Sequence, residues 1–100
     1  MQKIYIKPDE LRILAKTYNN CSELIQKIIH ELSKTQEDLS LVWEGKGYVE
    51  FENQFYKIKP EMQEFSILLE DIYMRLNEIA LVIEETDRSI AHSILKNGIS

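Results

Sequence analysis

This sequence predicts an all-α fold: two long helices in an antiparallel hairpin with a W-x-G turn, dimerising into a four-helix bundle. Three observations carry the prediction. Apolar residues recur at alternating steps of three and four along two separate stretches, the mark of a narrow stripe on a helix. A glycine-bracketed break, Trp43-Glu44-Gly45-Lys46-Gly47, divides the stretches. Only 3 glycines and 2 prolines occur in 100 residues, too few for a strand-rich fold with many tight turns. The chain therefore reads as one helical-hairpin domain, residues 1–100. Helix one covers about 8–40, the turn about 41–47 and helix two about 48–95.

The first helix should begin at Pro8. Proline is tolerated at the first helical position because its missing N–H has no partner there. Asp9 and Glu10 then place negative charge at the positive end of the helix dipole. Lys7 is a poor N-cap, but with it in that place Ile6 and Leu11 stand where a hydrophobic staple would join them. The heptad positions are Leu11, Leu14, Tyr18, Cys21, Ile25, Ile28, Leu32 and Leu39, with Thr35 in the one polar slot. Lys16, Glu23, His30 and Glu37 form the opposite face and should meet water.

The second run is Phe51, Phe55, Ile58, Met62, Phe65, Leu69, Ile72, Leu76, Ile79 and Ile83, followed by Thr86 and Ile90. Pro60 falls inside it, and an interior proline costs about 3 kcal/mol. The heptad phase is nevertheless unbroken across Pro60, which lies opposite the seam. One long helix kinked at Pro60 is expected rather than two, with Gly98 marking its end.

At about 1.5 Å per residue the helices are ~50 and ~70 Å long. In a hairpin the second overhangs from about Ile83 onward. Two helices alone leave each seam half covered and bury little surface, so the pattern asks for a second copy.

Composition narrows the function. Acids outnumber bases 17 to 12, for a net charge of −5, which disfavours a nucleic-acid binder. Apolar and aromatic residues make up 44%, enough to fold, but no run approaches the ~20 residues that cross a bilayer. The N-terminal residues 1–8 lack the apolar core and cleavage site of a signal peptide. One cysteine cannot form an internal disulfide or a thiolate metal site. Cys21 lies on the seam and reads as a small buried hydrophobe. His30 and His92 are on different arms, without a metal-ligating neighbour at suitable spacing. Glu64, Asp71, Glu78 and Glu85 repeat every seven residues as one solvated stripe, not a converging catalytic pair. No nucleophile–base pair, metal set or cofactor cradle can be assembled, so no enzyme is expected. An acidic chain would also bind anionic lipid poorly, and stable membrane insertion is not expected.

Two features point to partners. Between Glu61 and Asp87 eight acids face one base, Arg75, so this half of helix two suits solubility or docking against a basic surface. Ile67, Met74 and Leu81 repeat every seven residues on the face opposite the seam, and Leu68 and Val82 widen the strip. In a lone hairpin it would be an exposed apolar patch. The interface candidates are therefore Ile67, Leu68, Met74, Leu81 and Val82, for a contact with another copy or with a further partner.

The length, the two heptad helices, the Ile6-Lys7-Pro8-Asp9-Glu10-Leu11 opening and Trp43-Glu44-Gly45 together resemble the WXG family, the small ESAT-like proteins of type VII secretion. The resemblance covers nearly the whole chain. The family's C-terminal hydrophobic–xxx–acid–xx–hydrophobic–xxx–hydrophobic pattern is matched by Ile83, Asp87, Ile90 and Ile94. The tyrosine–xxx–acid export motif of mycobacterial members is absent, since Tyr73 is followed four residues later by Asn77. That departure resembles the homodimeric, Firmicute-like branch.

The resemblance implies a non-enzymatic secretion substrate or co-secreted factor, without a cofactor. It would be cytoplasmic before export, secreted without a cleavable signal peptide, and recognised as a folded dimer by the secretion-system ATPase. Trp43 and Gly45 would form the turn motif. Trp43 would anchor the turn, complete a composite signal with the partner's C-terminal segment, or do both. The alternative is an adaptor or chaperone for the helical N-terminal domain of a larger secreted toxin.

Overall fold

Helix α1 (Pro8–Val42) and helix α2 (Lys46–Asn97) make up the computed structural model, which describes residues 6–97. Residues 1–5, most of the segment read against a signal peptide, lie outside the described residues. So does Gly98, the expected end marker of the second helix. Proline takes the first position of α1, after Lys7 in extended backbone that offers no side-chain cap. The Leu11 N–H donates to the Lys7 carbonyl at 3.0 Å to close the first turn.

At the other end the Trp43 N–H closes α1 on the Leu39 carbonyl at 2.9 Å, and Trp43 itself is extended. Gly45 adopts φ +113°, a conformation L side chains rarely take. This single residue reverses the chain, so only Trp43, Glu44 and Gly45 lie between the helices. The connection is shorter than the 41–47 span read from sequence. Gly47 already belongs to α2, and its lack of a side chain serves close approach rather than the turn. A Cβ there would lie 3.3 Å from Cζ2 of Trp43. Helix α2 runs unbroken through Pro60. The proline ring is exposed on the outer side, away from α1.

The helices run antiparallel, with Arg12 beside Glu84, Ser22 on Ser66 and Trp43 on Tyr48, in a rod 84 × 25 × 18 Å. Their line of contact corrects the sequence reading. The residues buried between them are Ala15, Ser22, Ile29 and Gln36 of α1 and Ser66 and Ala80 of α2. Each α1 member comes one residue after Leu14, Cys21, Ile28 and Thr35, about 100° further round the helix. The predicted seam thus lies along the edge of the contact, with Leu11, Ile25, Leu39, Phe55, Met62, Leu69, Ile72, Leu76 and Ile83 half-buried. Leu14, Tyr18, Ile28 and Leu32 are exposed, as are Phe51, Ile58, Phe65 and Ile79. Cys21, expected to be buried, is exposed as well.

Small side chains explain the rotation. Ser22 is short enough for its hydroxyl to reach across and donate to the Ser66 carbonyl at 2.7 Å, while Gln26 donates to Ser22 Oγ at 3.2 Å. Alanine and serine let the two backbones approach; the large apolar residues would hold them apart. The resulting contact is thin. Ser33 Oγ and Gln36 Nε2 are buried and find no hydrogen-bond partner among the described residues, which weakens it further.

Arg12 fixes the far end with a forked pair onto Glu84, one N–H···O contact being 2.8 Å. This pairing holds Glu84 below the usual glutamate range, mainly through the Arg12 hydrogen bond. The overhang begins after Glu84, close to the expected start at about Ile83, which is itself half-buried; residues 85–97 are exposed throughout.

Candidate functional site

Three surfaces of the hairpin could recognise another protein. At the turn, Trp43 leans across the first turns of α2. Its ring meets Tyr48 edge-on and Phe51 at a tilt, both with centroids 5.7 Å apart. These contacts, with the space left by Gly47, anchor the turn, yet 40% of Trp43 remains exposed. Trp43 thus packs as a turn anchor on one side and leaves an aromatic edge open on the other. Tyr48 in turn donates its hydroxyl to Glu52 at 2.7 Å, a bond that raises its pKa above the ordinary value. A shallow depression of about 550 Å³ lies beside the turn, lined by Gly45, Lys46, Val49 and Glu50.

The C-terminal segment is at the opposite end of the rod. Ile83 rests half-buried against α1, while Asp87, Ile90 and Ile94 stand exposed on the overhang. Within one chain these residues are not brought to Trp43. His92 lies on the same overhang with Arg88 and Glu85, along an open hollow formed by one helix alone. Among the described residues no group of three His, Cys, Asp or Glu side chains could hold a metal, and no helix is long and apolar enough to cross a membrane.

The third surface is the one the sequence reading misplaced. The uncovered heptad rows of both helices lie on one side of the hairpin. They form an apolar groove of about 480 Å³ between Thr17, Tyr18, Cys21, Leu24 and Ile25 of α1 and Phe65 and Leu69 of α2. All five interface candidates are exposed, but they do not form one strip. Leu68 is three residues beyond Phe65 and Val82 three beyond Ile79, so both extend the groove face. Ile67, Met74 and Leu81 are about 100° away, on another side of α2. The apolar run signalled the groove face; only packing could show that it points outward.

A two-helix hairpin whose turn carries W-x-G and the chain's one tryptophan defines a class of small helical proteins. Residues 3–88 match the family described as proteins of 100 residues with WXG, and the chain belongs to that WXG100 family. It is 31% identical to the type VII secretion system extracellular protein A of Staphylococcus aureus (strain USA300) over 93% of this chain and 96% of that protein. Among solved structures it resembles EsxA of Geobacillus thermodenitrificans, with a TM-score of 0.82 and 31% identity over 88% of this chain and 98% of that one. The secreted protein EsxB of Bacillus anthracis gives a TM-score of 0.76 at 31% identity, covering 87% and 99%.

Proposed function

We propose that this chain is a non-enzymatic substrate or co-secreted factor of type VII secretion, exported as a folded homodimer. The observation that carries this reading is the uncovered groove face. An apolar surface running along both helices beside a thin, partly polar intrachain contact is what remains when a hairpin's main core is completed by a second molecule. Two hairpins joined through their groove faces form a four-helix bundle and cover Phe51, Ile58, Phe65, Leu68, Ile79 and Val82.

In an antiparallel pair, the overhang of one protomer, about 20 Å long at 1.5 Å per residue, reaches toward the turn of the other. The exposed edge of Trp43 then lies near the partner protomer's Asp87, Ile90 and Ile94 and forms a composite surface for the secretion ATPase. The names of the staphylococcal and Bacillus relatives, extracellular and secreted proteins, support export without adding a site.

Trp43→Ala tests the recognition step. The expected result is loss of export from the producing cell while the purified variant keeps the wild-type mass. Loss of the dimer together with export would reduce Trp43 to a turn anchor. Unchanged export would remove it from the signal.

The adaptor reading draws on a different observation, the separate strip of Ile67, Met74 and Leu81, which a dimer through the groove faces leaves uncovered.

A further inference from the structure

We infer that Ile67, Met74 and Leu81 form a docking line for a basic amphipathic helix of another protein. The inference takes from the reading above only that the groove face belongs to the second copy. The three side chains are 57%, 49% and 50% exposed. They recur every seven residues, so they line up along α2 over about 21 Å, with Pro60 and Arg88 at the next heptad positions on either side. This is the length of contact made by four turns of a partner helix whose own apolar residues repeat every seven.

Charge selects the occupant. Positions three before and four after the strip residues are Glu64, Asp71, Glu78 and Glu85, a continuous acidic edge. On the other edge Glu70 and Glu84 alternate with Gln63 and Asn77, and Glu84 is held by Arg12. The remaining five carboxylates, Glu64, Glu70, Asp71, Glu78 and Glu85, are exposed and make no ion pair among the described residues. An apolar line between acidic flanks matches a helix with a large apolar residue flanked by lysine or arginine. A second copy fits poorly, because it would set one acidic edge against another. Arg75 lies beyond Asp71 and Glu78, toward the groove face, and does not interrupt the line.

The probe is a synthetic helical peptide of three heptads, one for each strip residue, with leucine at every seventh position and lysine at the flanking ones, held helical by side-chain cross-links and labelled for anisotropy. Its control carries glutamate in place of lysine. Both are titrated against wild type and against Met74→Gln/Leu81→Gln, at about 0.05 and about 0.5 M salt, with the mass of each protein measured by light scattering. The lysine peptide should bind wild type, weaken with salt, and bind the double variant at least about tenfold less tightly, with protein mass unchanged. The glutamate peptide should not bind.

Three results overturn the inference: no binding of the lysine peptide, equal binding to both proteins, or a fall in mass for the double variant. The last would make the strip a contact between copies. If wild type itself were a monomer, the homodimer reading would fail, while the titration would still decide the strip.

Discussion

Gly45→Ala separates backbone strain from side-chain crowding at the turn. Gly45 holds φ +113°, and a Cβ added there meets no atom within 4 Å. The penalty is therefore conformational. Backbone in so sparsely populated a region costs an L-residue roughly 1–3 kcal/mol. Alanine also stiffens the unfolded chain, which offsets about 0.4–1 kcal/mol, so the net loss is about 1 kcal/mol, or about 4–8 °C in a domain of this size. Gly47→Ala is the matched control. Gly47 is helical, where alanine is favoured by up to about 1 kcal/mol. Its new methyl would press Trp43 Cζ2 from 3.3 Å, however, and the ring must shift by a few tenths of an ångström. The expected result is little change in melting but altered emission from Trp43, the chain's 1 tryptophan. Thermal melts by circular dichroism at one fixed protein concentration, with emission spectra alongside, measure both effects. An unchanged or higher melting point for Gly45→Ala, or a larger drop for Gly47→Ala, would refute this division of roles.

Other expected outcomes concern the contact line and the groove. Glu84 titrates lower in the folded chain than unfolded, so its contribution is present above the ordinary value of 4.5 and is lost as pH falls through its depressed folded value. Glu84→Gln should remove part of the acid-side loss of melting temperature, and identical pH profiles for variant and wild type would contradict this. Ser22→Leu should force the helices apart at their closest approach and cost about 1–3 kcal/mol, read from denaturant melts; a neutral result would show that the small residue is not required. Phe65→Glu should remove an aromatic side chain from the groove face, costing the assembly at least about 1.5–3 kcal/mol and driving the protein toward single chains by sedimentation. Wild-type sedimentation would place the dimer contact elsewhere.

Helix content was legible in the sequence because heptad spacing reports period, and period survives any rotation of the helix. Pro60 did not interrupt α2 for the same reason: the phase runs through it, and its ring has room on the outer side. Spacing carries no information about which molecule covers the stripe. Leu14, Cys21, Ile28 and Phe65 looked like the chain's own core because an apolar stripe must be covered. In a hairpin of two helices, though, closest approach goes to the smallest side chains, here Ala15, Ser22, Ser66 and Ala80. That choice left Leu14, Ile28 and Phe65 exposed, with Leu69 and Leu76 half-buried at the edge, and exposed Cys21. The same rotation separated Leu68 and Val82 from Ile67, Met74 and Leu81, which linear reading had joined as one strip. At the turn, Trp43-Glu44-Gly45 announced the reversal. The separate duties of Gly45 and Gly47 required a backbone angle and a distance.

The central claim is that the groove face is completed by a second copy before export. The absolute mass of the purified protein, measured by light scattering at two concentrations, tests it most directly. A mass near twice the 11.8 kDa of one chain at both concentrations is the predicted result. A single-chain mass, or a polydisperse aggregate that resolves only when a larger helical protein is co-expressed, would contradict the homodimer and give the groove to that protein instead.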